Sequence, residues 1–288
     1  MQSKDEIGLI KSVIVLVADE KYLPHAKSTM VNCRRQGQWK EDFCLILPPS
    51  IDAKYFTDRG IAVFHDNAPS YYRKFAIFDE YFNQQYMTQW QTPEYRWDAV
   101  LYMDEDVLVQ NPLAPLIHEA GWCTVSADRE PFTQGHAFTH WTTPEKMQEP
   151  KAKELFDWMW ANYDPDGPQY TTCVLAYRPR TLPAGIRQTM TDLWQKLAPI
   201  NTHVVKGTDQ PIINLALAGK FERFRSDLAC YWRSAWDDTV IVHYCSGYAP
   251  WIEKTPKMNA YFNFKLGRPC HDIYQENLAA FEQEFPIL

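Results

Sequence analysis

The chain has 288 residues, of which 45% are apolar and 23% charged, and its formal net charge is −7. This is the composition of a folded globular protein and excludes bulk disorder. The acidic balance and the lack of a polybasic run exclude nucleic acid as the main partner, because phosphate neutralisation dominates that binding. A single nucleotide stays compatible, since a metal ion and one or two cations suffice for it.

The elements then follow in chain order. Ser12 to Ala18 (SVIVLVA) is a continuous β-branched run and predicts a strand buried on both faces, ending at Asp19. Tyr22 to Arg35 reads as a helix entered through Pro24. Asp42 to Leu47 is a second strand, stopped by Pro48-Pro49, and Ile51 to Asp58 a short helix. Ile61 to His65 is a third strand. Tyr71 to Tyr86 carries Phe75, Ile77, Phe78, Tyr81 and Phe82 at a spacing that predicts a helix. Trp97 to Met103 is a fourth strand, with Asp104-Glu105-Asp106 at its carboxyl end. Such alternation means α/β architecture, a mostly parallel sheet flanked by helices in a single domain. Ligands bind such sheets at the carboxyl ends of the strands, where Asp19 and Asp104 both fall.

The second half is less regular. Thr124 to Ala127 reads as a strand and residues 129–150 as a loop or lid. Lys151 to Tyr163 reads as a helix, Thr171 to Tyr177 as a strand, and Ile186 to Leu197 as a helix. Asp209 to Leu217 is a helix with Pro211 in its first turn, and Thr239 to Tyr244 a last strand. The division expected is a first half over 12–110, a second half over 111–255, and a C-terminal extension over 256–288.

Seven cysteines occur without a C-x-x-C pair, which argues against structural zinc and fits reduced thiols. Met1 to Lys11 lacks an apolar h-region, and no run approaches 18 apolar residues. The expectation is a cytoplasmic protein without a membrane span. Trp and Tyr are abundant, 11 and 16 residues. Trp141, Trp232, Trp236 and Trp251 are candidates for a sugar platform, against the alternative that such rings fill core and pocket rims.

The chemistry centres on the acidic triplet. Two carboxylates one residue apart, after an apolar strand, can converge on one hard divalent cation. The alternative is a solvated turn. In an extended backbone Glu105 points away from Asp104 and Asp106, so it is set apart from the metal ligands. His243 ends an apolar strand and suits a third ligand, or a packed histidine.

Five segments carry a resemblance. Ala18-Asp19-Glu20-Lys21-Tyr22, Arg73-Lys74-Phe75, Tyr102 to Val109, Gly207 to Asn214, and His243-Tyr244 through Pro250-Trp251 are similar, in order, to the motifs of glycosyltransferase family 8. The resemblance spans about residues 12 to 255. It implies a GT-A fold, a UDP-sugar donor, Mn2+ (Mg2+ as the alternative), and transfer with retention of configuration. The acceptor stays open among a glycan, a protein and a small molecule. Carried over residue by residue, it implies metal ligation by Asp104, Asp106 and His243. It implies nucleotide or donor contacts from Ala18, Asp19, Tyr22, Lys74, Asp104, Glu105, Asp128, Thr171, Gly247 and Lys254. Asp209 and Gln210 fall beside the anomeric carbon. Asp19 and Asp209 read equally well as helix-capping residues.

Two departures stand out. The family usually has Asn-x-Gly where this chain has Thr171-Thr172-Cys173. It usually has Lys before the Pro-Trp pair, here Ala249, which leaves Lys254 or Lys257 to supply a phosphate clamp. A nucleotidyltransferase of related fold is the alternative enzyme, but the Gly-rich loop it needs is missing from Ser12 to Tyr22. A catalytically impaired nucleotide-sugar-binding scaffold is the non-enzymatic alternative.

Overall fold

The structure, a computed structural model, describes residues 11–86, 93–120, 125–127, 129–133, 145, 148–197, 209–225, 228–231, 238–244, 248–254 and 267–288. The first half runs β1 (Ser12–Val17), α1 (Leu23–Arg35), β2 (Asp42–Leu47), α2 (Lys54–Thr57) and β3 (Ala62–His65). A 3-10 segment, Ser70–Phe78, leads to α3 (Glu80–Asn83) and to an antiparallel pair, β4 (Gln84–Tyr86) and β5 (Pro93–Tyr95). Next come β6 (Ala99–Met103), β7 (Val107–Val109), α4 (Ala114–Ala120), β8 (Val125–Ala127) and β9 (Arg129–Thr133). The second half holds α5 (Pro150–Asn162), β10 (Pro168–Tyr170), β11 (Val174–Tyr177), α6 (Ile186–Leu197) and α7 (Asp209–Ala216). It ends with β12 (Phe221–Arg223), β13 (Ala229–Tyr231), β14 (Ile241–His243) and α8 (Cys270–Glu284).

Among the described residues, seven strands form the main sheet in the order β12-β8-β11-β6-β1-β2-β3. β6, β1, β2 and β3 are parallel to their neighbours in this series, whereas β11 runs antiparallel to both β6 and β8. The apolar run of β1 explains its central place. Val13 and Val15 enter the core on one face of the sheet, and Ile14 and Leu16 enter the core on the other. Fully burying each such side chain contributes about 1.5–3 kcal/mol. A smaller sheet, β13-β14-β7, stands at the carboxyl end of β6.

The segment from Tyr71 to Tyr86 departs from the expected helix. It is a 3-10 run, then one turn of α-helix, then a strand. Every residue from Tyr72 to Phe78 is buried, so the segment lacks the solvent face that an amphipathic helix requires. Arg187 on α6 ion-pairs with both Asp66 and Asp79 and ties down the two ends of this segment.

The last helix, α8, lies on α1 and sends Ala280 and Phe281 into the core on that face, with Phe285 beyond its end. It also bonds His25: Nδ1 of His25 and the Tyr274 hydroxyl are 2.9 Å apart. The other side of the His25 ring stacks on Trp251 at 3.8 Å between centroids. Burial, aided by the charge of Lys21, pushes the pKa of His25 down from 6.5 to about 4. Above about pH 6.5 the ring is neutral whether the chain is folded or not. As pH falls from there towards about 4, the unfolded chain takes up a proton that the folded chain refuses, so stability declines. With the ring partly exposed, the loss is on the order of 1–2 kcal/mol. His25→Phe is expected to flatten this part of the acid-unfolding profile. Urea midpoints at pH 7, 5.5 and 4.5 that fall equally in both proteins would refute it.

No helix among the described residues is long and apolar enough to cross a membrane.

Candidate active site

The acidic triplet sits where the main sheet meets the small one. β6 ends at Met103, and the backbone turns through Glu105 and Asp106 before entering β7. The Thr29 hydroxyl on α1 donates to the Glu105 carbonyl at 3.2 Å. Asn32 pins the following strand, accepting from Val109 N at 2.6 Å and donating to Val109 O at 3.2 Å. Because the triplet is turned rather than extended, the alternation expected for Glu105 does not apply.

Strand pairing brings in the distant partners. β14 pairs with β7 so that His243 lies opposite Val107, and Tyr244 N donates to Asp106 O at 2.9 Å. β11 pairs with β6 so that Val174 lies opposite Met103, and Asp104 N donates to Cys173 O at 2.8 Å. His243 Nε2 consequently faces Asp106 Oδ1 at 3.3 Å. Ligand atoms from Asp104, Asp106 and His243 all fall within 4.8 Å of one another.

A second polar chain starts from Asp104. Its Oδ1 accepts from the Tyr102 hydroxyl and from Lys74 Nζ, the latter at 3.0 Å. Lys74 also reaches Asp209 Oδ2 at 2.8 Å, and its side chain is only 6% exposed. The Thr172 hydroxyl donates to the same Asp209 oxygen at 3.0 Å. Thr172 N donates to Gln210 Oε1 at 3.4 Å. Asn214, one turn further along α7, accepts from Tyr170 N and donates to Tyr170 O, both at 2.8 Å. This two-point bond fixes α7, and with it Asp209, against β10.

The charges are unbalanced. The Lys74 ammonium meets Asp104 and Asp209, while Glu105 and Asp106 add their carboxyl groups beside Asp104. Burial pushes the pKa of Asp104 up, Lys74 opposes the rise, and Asp106 and Asp209 add to it. Burial and the neighbouring Asp104 push Glu105 well above the usual carboxylate range. Burial acts to lower the pKa of Lys74, but Asp104 and Asp209 outweigh it and keep the ammonium charged. Asp106 Oδ1 is buried without a well-aligned hydrogen bond. Two carboxylates and an imidazole form a donor set suited to a divalent cation, and such an ion would relieve the crowding of negative charge.

The other predicted residues take varied places. Asp19 Oδ1 accepts from Lys21 N and Tyr22 N at 3.0 and 3.1 Å, a turn that starts α1. Ala18 O accepts from buried Arg73 at 3.4 Å. Tyr22 lies edge-on to Trp251, and Trp251 stacks on His25. Lys254 is buried and donates to the carbonyls of Ala249 and Ile252 at 3.0 and 3.1 Å, bonds that hold its own loop. The Thr171 hydroxyl turns to Cys173 Sγ at 3.2 Å, and it is Thr172 that meets Lys74 and Asp209. Asp128, Gly247, Lys257, Trp141, Trp232 and Trp236 lie outside the described residues. Sequence reasoning passed over Tyr102 and Thr172 as site residues. The three residues before β11 carry no local pattern that singles out Thr172.

No family model and no curated protein matches the sequence. Solved structures do match. A galactosyltransferase, LgtC, crystallised with donor and acceptor sugar analogues, is 14% identical with a TM-score of 0.60, over 93% of this chain and 95% of that one. WbbM, a bifunctional glycosyltransferase, is 13% identical with a TM-score of 0.56, over 97% of this chain and 52% of that one. The glycosyltransferase GlyE of Streptococcus pneumoniae is 15% identical with a TM-score of 0.54, over 96% and 65%. All three are glycosyltransferases, and the chain has their fold, a mixed, mostly parallel GT-A sheet flanked by helices.

Proposed function

We propose that the chain is a metal-dependent, retaining glycosyltransferase that moves a hexose-type sugar from a UDP-sugar to an acceptor hydroxyl. The observation that carries this reading is the convergence of Asp104, Asp106 and His243 within 4.8 Å at the carboxyl end of β6, in a fold shared with glycosyltransferases. Asp104, Asp106 and His243 are the residues that would hold Mn2+ or Mg2+. When bound, such an ion would supply positive charge against the negative charge that develops on the leaving diphosphate.

The chain's own residues supply the rest. Asp19 and Tyr22 line the entrance of α1, where the nucleoside is received. Lys74 joins the metal-binding carboxylate Asp104 to Asp209 and holds both in place. Asp209, itself fixed by Lys74 and Thr172, orients the donor sugar beside Gln210. The bond from the anomeric carbon to the diphosphate oxygen breaks as the acceptor oxygen bonds the same face. The acceptor proton leaves with the diphosphate, so no separate general acid is needed.

The test is a panel of UDP-sugars assayed for UDP release with Mn2+ and with EDTA. One donor is expected to turn over only with metal. Release that is absent for every donor would remove the enzymatic reading and favour the binding scaffold. Asp209→Asn is expected to lower kcat about a hundred-fold while changing UDP affinity little. Equal turnover of variant and wild type would remove Asp209 from the reaction.

A further inference from the structure

Tyr102 stands one residue before the end of β6, in the middle of the main sheet. Its neighbours across the sheet are Val15 on β1 and Leu175 on β11. All three enter the same core, and Tyr102 is only 3% exposed. A ring rooted on a central strand and closely packed has little freedom to shift. Its hydroxyl, once buried, needs a hydrogen-bond partner. That partner is a carboxylate of the site: the hydroxyl donates to Asp104 Oδ1. The same oxygen accepts from Lys74 Nζ at 3.0 Å, and this ammonium lies 4.8 Å from the centroid of the Tyr102 ring. The two donors differ. Lys74 divides its bonds between Asp104 and Asp209, the second at 2.8 Å. The Tyr102 hydroxyl bonds Asp104 alone among the described residues.

We propose that Tyr102 is a positioning residue of the metal site: its hydroxyl holds Asp104 Oδ1, so that the ion takes this carboxylate through Oδ2. The proposal rests on the metal reading of Asp104, Asp106 and His243. A carboxylate oxygen has two acceptor positions, and on Oδ1 Tyr102 and Lys74 fill both. The backbone of Asp104 is held as well, its N donating to Cys173 O at 2.8 Å. With the backbone and one oxygen fixed, the carboxylate is kept from turning, and Oδ2 is the oxygen left for an ion. A phenol donates this bond without bringing positive charge. Lys74 brings a full charge that opposes a nearby cation, so the neutral donor is the one that orients Asp104 at no electrostatic cost to the ion. Ligating carboxylates depend on such partners, and losing one typically costs about 10–100-fold in metal affinity.

The experiment is Mn2+ binding to the full chain, followed by electron paramagnetic resonance, with the Co2+ visible spectrum as a second readout. Tyr102→Phe removes the hydroxyl and keeps the ring. It is expected to weaken Mn2+ binding about ten-fold and to shift the Co2+ d–d bands. Tyr177→Phe is the control. Tyr177 is as deeply buried, but it stands at the far end of β11 and its hydroxyl donates to the Ile77 carbonyl. This control is expected to lower the melting temperature while keeping wild-type Mn2+ affinity and the wild-type Co2+ spectrum. Wild-type affinity and an unchanged Co2+ spectrum in Tyr102→Phe would overturn the proposal and leave the hydroxyl a merely satisfied buried group. Equal weakening by both variants would also overturn it, because the loss would then follow stability and not position. If Tyr102→Phe does not fold, 3-fluorotyrosine at position 102 gives the comparison. A fluorine resonance that moves when Mg2+ is added supports the contact, and one that stays in place rejects it. Absence of Mn2+ binding by the wild type would instead sink the metal reading on which the proposal stands.

Discussion

Replacing Asp106 by Ala is expected to lower Mn2+-dependent UDP release about a thousand-fold while leaving the metal-free chain folded and close to wild-type stability. The two halves of that result have different causes. Activity falls because one of two carboxylate donors is gone and the ion no longer neutralises the leaving diphosphate, an effect worth roughly 4 kcal/mol. Stability changes little because relief of the Asp106–Asp104 repulsion offsets the lost contact of Asp106 with His243 Nε2. The signature is measured by thermal melts with Mn2+ and with EDTA alongside the activity assay. Wild type is expected to melt higher with Mn2+, as any protein does when an ion binds only its folded form. Asp106→Ala is expected to show little or no such gain. Full activity of the variant in a chelator would refute the metal assignment.

How far the sequence disclosed this site depends on the length of each element. β1 and β2 were legible because a strand buried on both faces leaves an unbroken apolar run, and SVIVLV and DFCLIL are such runs. The triplet was legible for the same reason, since AVLYM announces the strand that ends there. The approach of His243 was not readable from periodicity. It depends on the pairing of β7 with β14, far apart in the chain, which no local pattern specifies; the sequence leaves His243 as a third ligand or a packed histidine, and the family resemblance favours the ligand. The 3-10 segment misled because helical spacing of apolar residues was read without the burial of those between them, including Arg73 and Lys74. Lys74 shows the limit most clearly. Before an apolar run, a Lys reads as a surface charge or a ligand contact, and nothing local predicts that two carboxylates, 30 and 135 positions away by their numbers, enclose it.

Lys74→Met is expected to cost about 3–5 kcal/mol of stability in EDTA, the second large effect predicted here. The ammonium bonds Asp104 at 3.0 Å and Asp209 at 2.8 Å, and its side chain is 6% exposed. Its removal leaves two carboxylates in a crowded site without their cation, and that uncompensated charge dominates the loss. Two further measurements separate this cause from lost packing. Lys74→Met combined with Asp209→Asn removes one stranded charge and is expected to regain at least half of the deficit. Saturating Mn2+ supplies positive charge at Asp104 from the other side, so it is expected to stabilise Lys74→Met more than it stabilises wild type. Urea unfolding of the three proteins, with Mn2+ and with EDTA, reads all of these differences. A deficit below about 1 kcal/mol would mean that the carboxylates find other compensation, since a merely surface ion pair is worth that much. A deficit that persists in the double variant and under Mn2+ would place the cost in the methylene packing of Lys74 beneath Tyr102, whose ring centroid lies 4.8 Å from Nζ. In the predicted case Lys74 is the bond between the metal carboxylate and the sugar-orienting carboxylate, and the two halves of the site move as one.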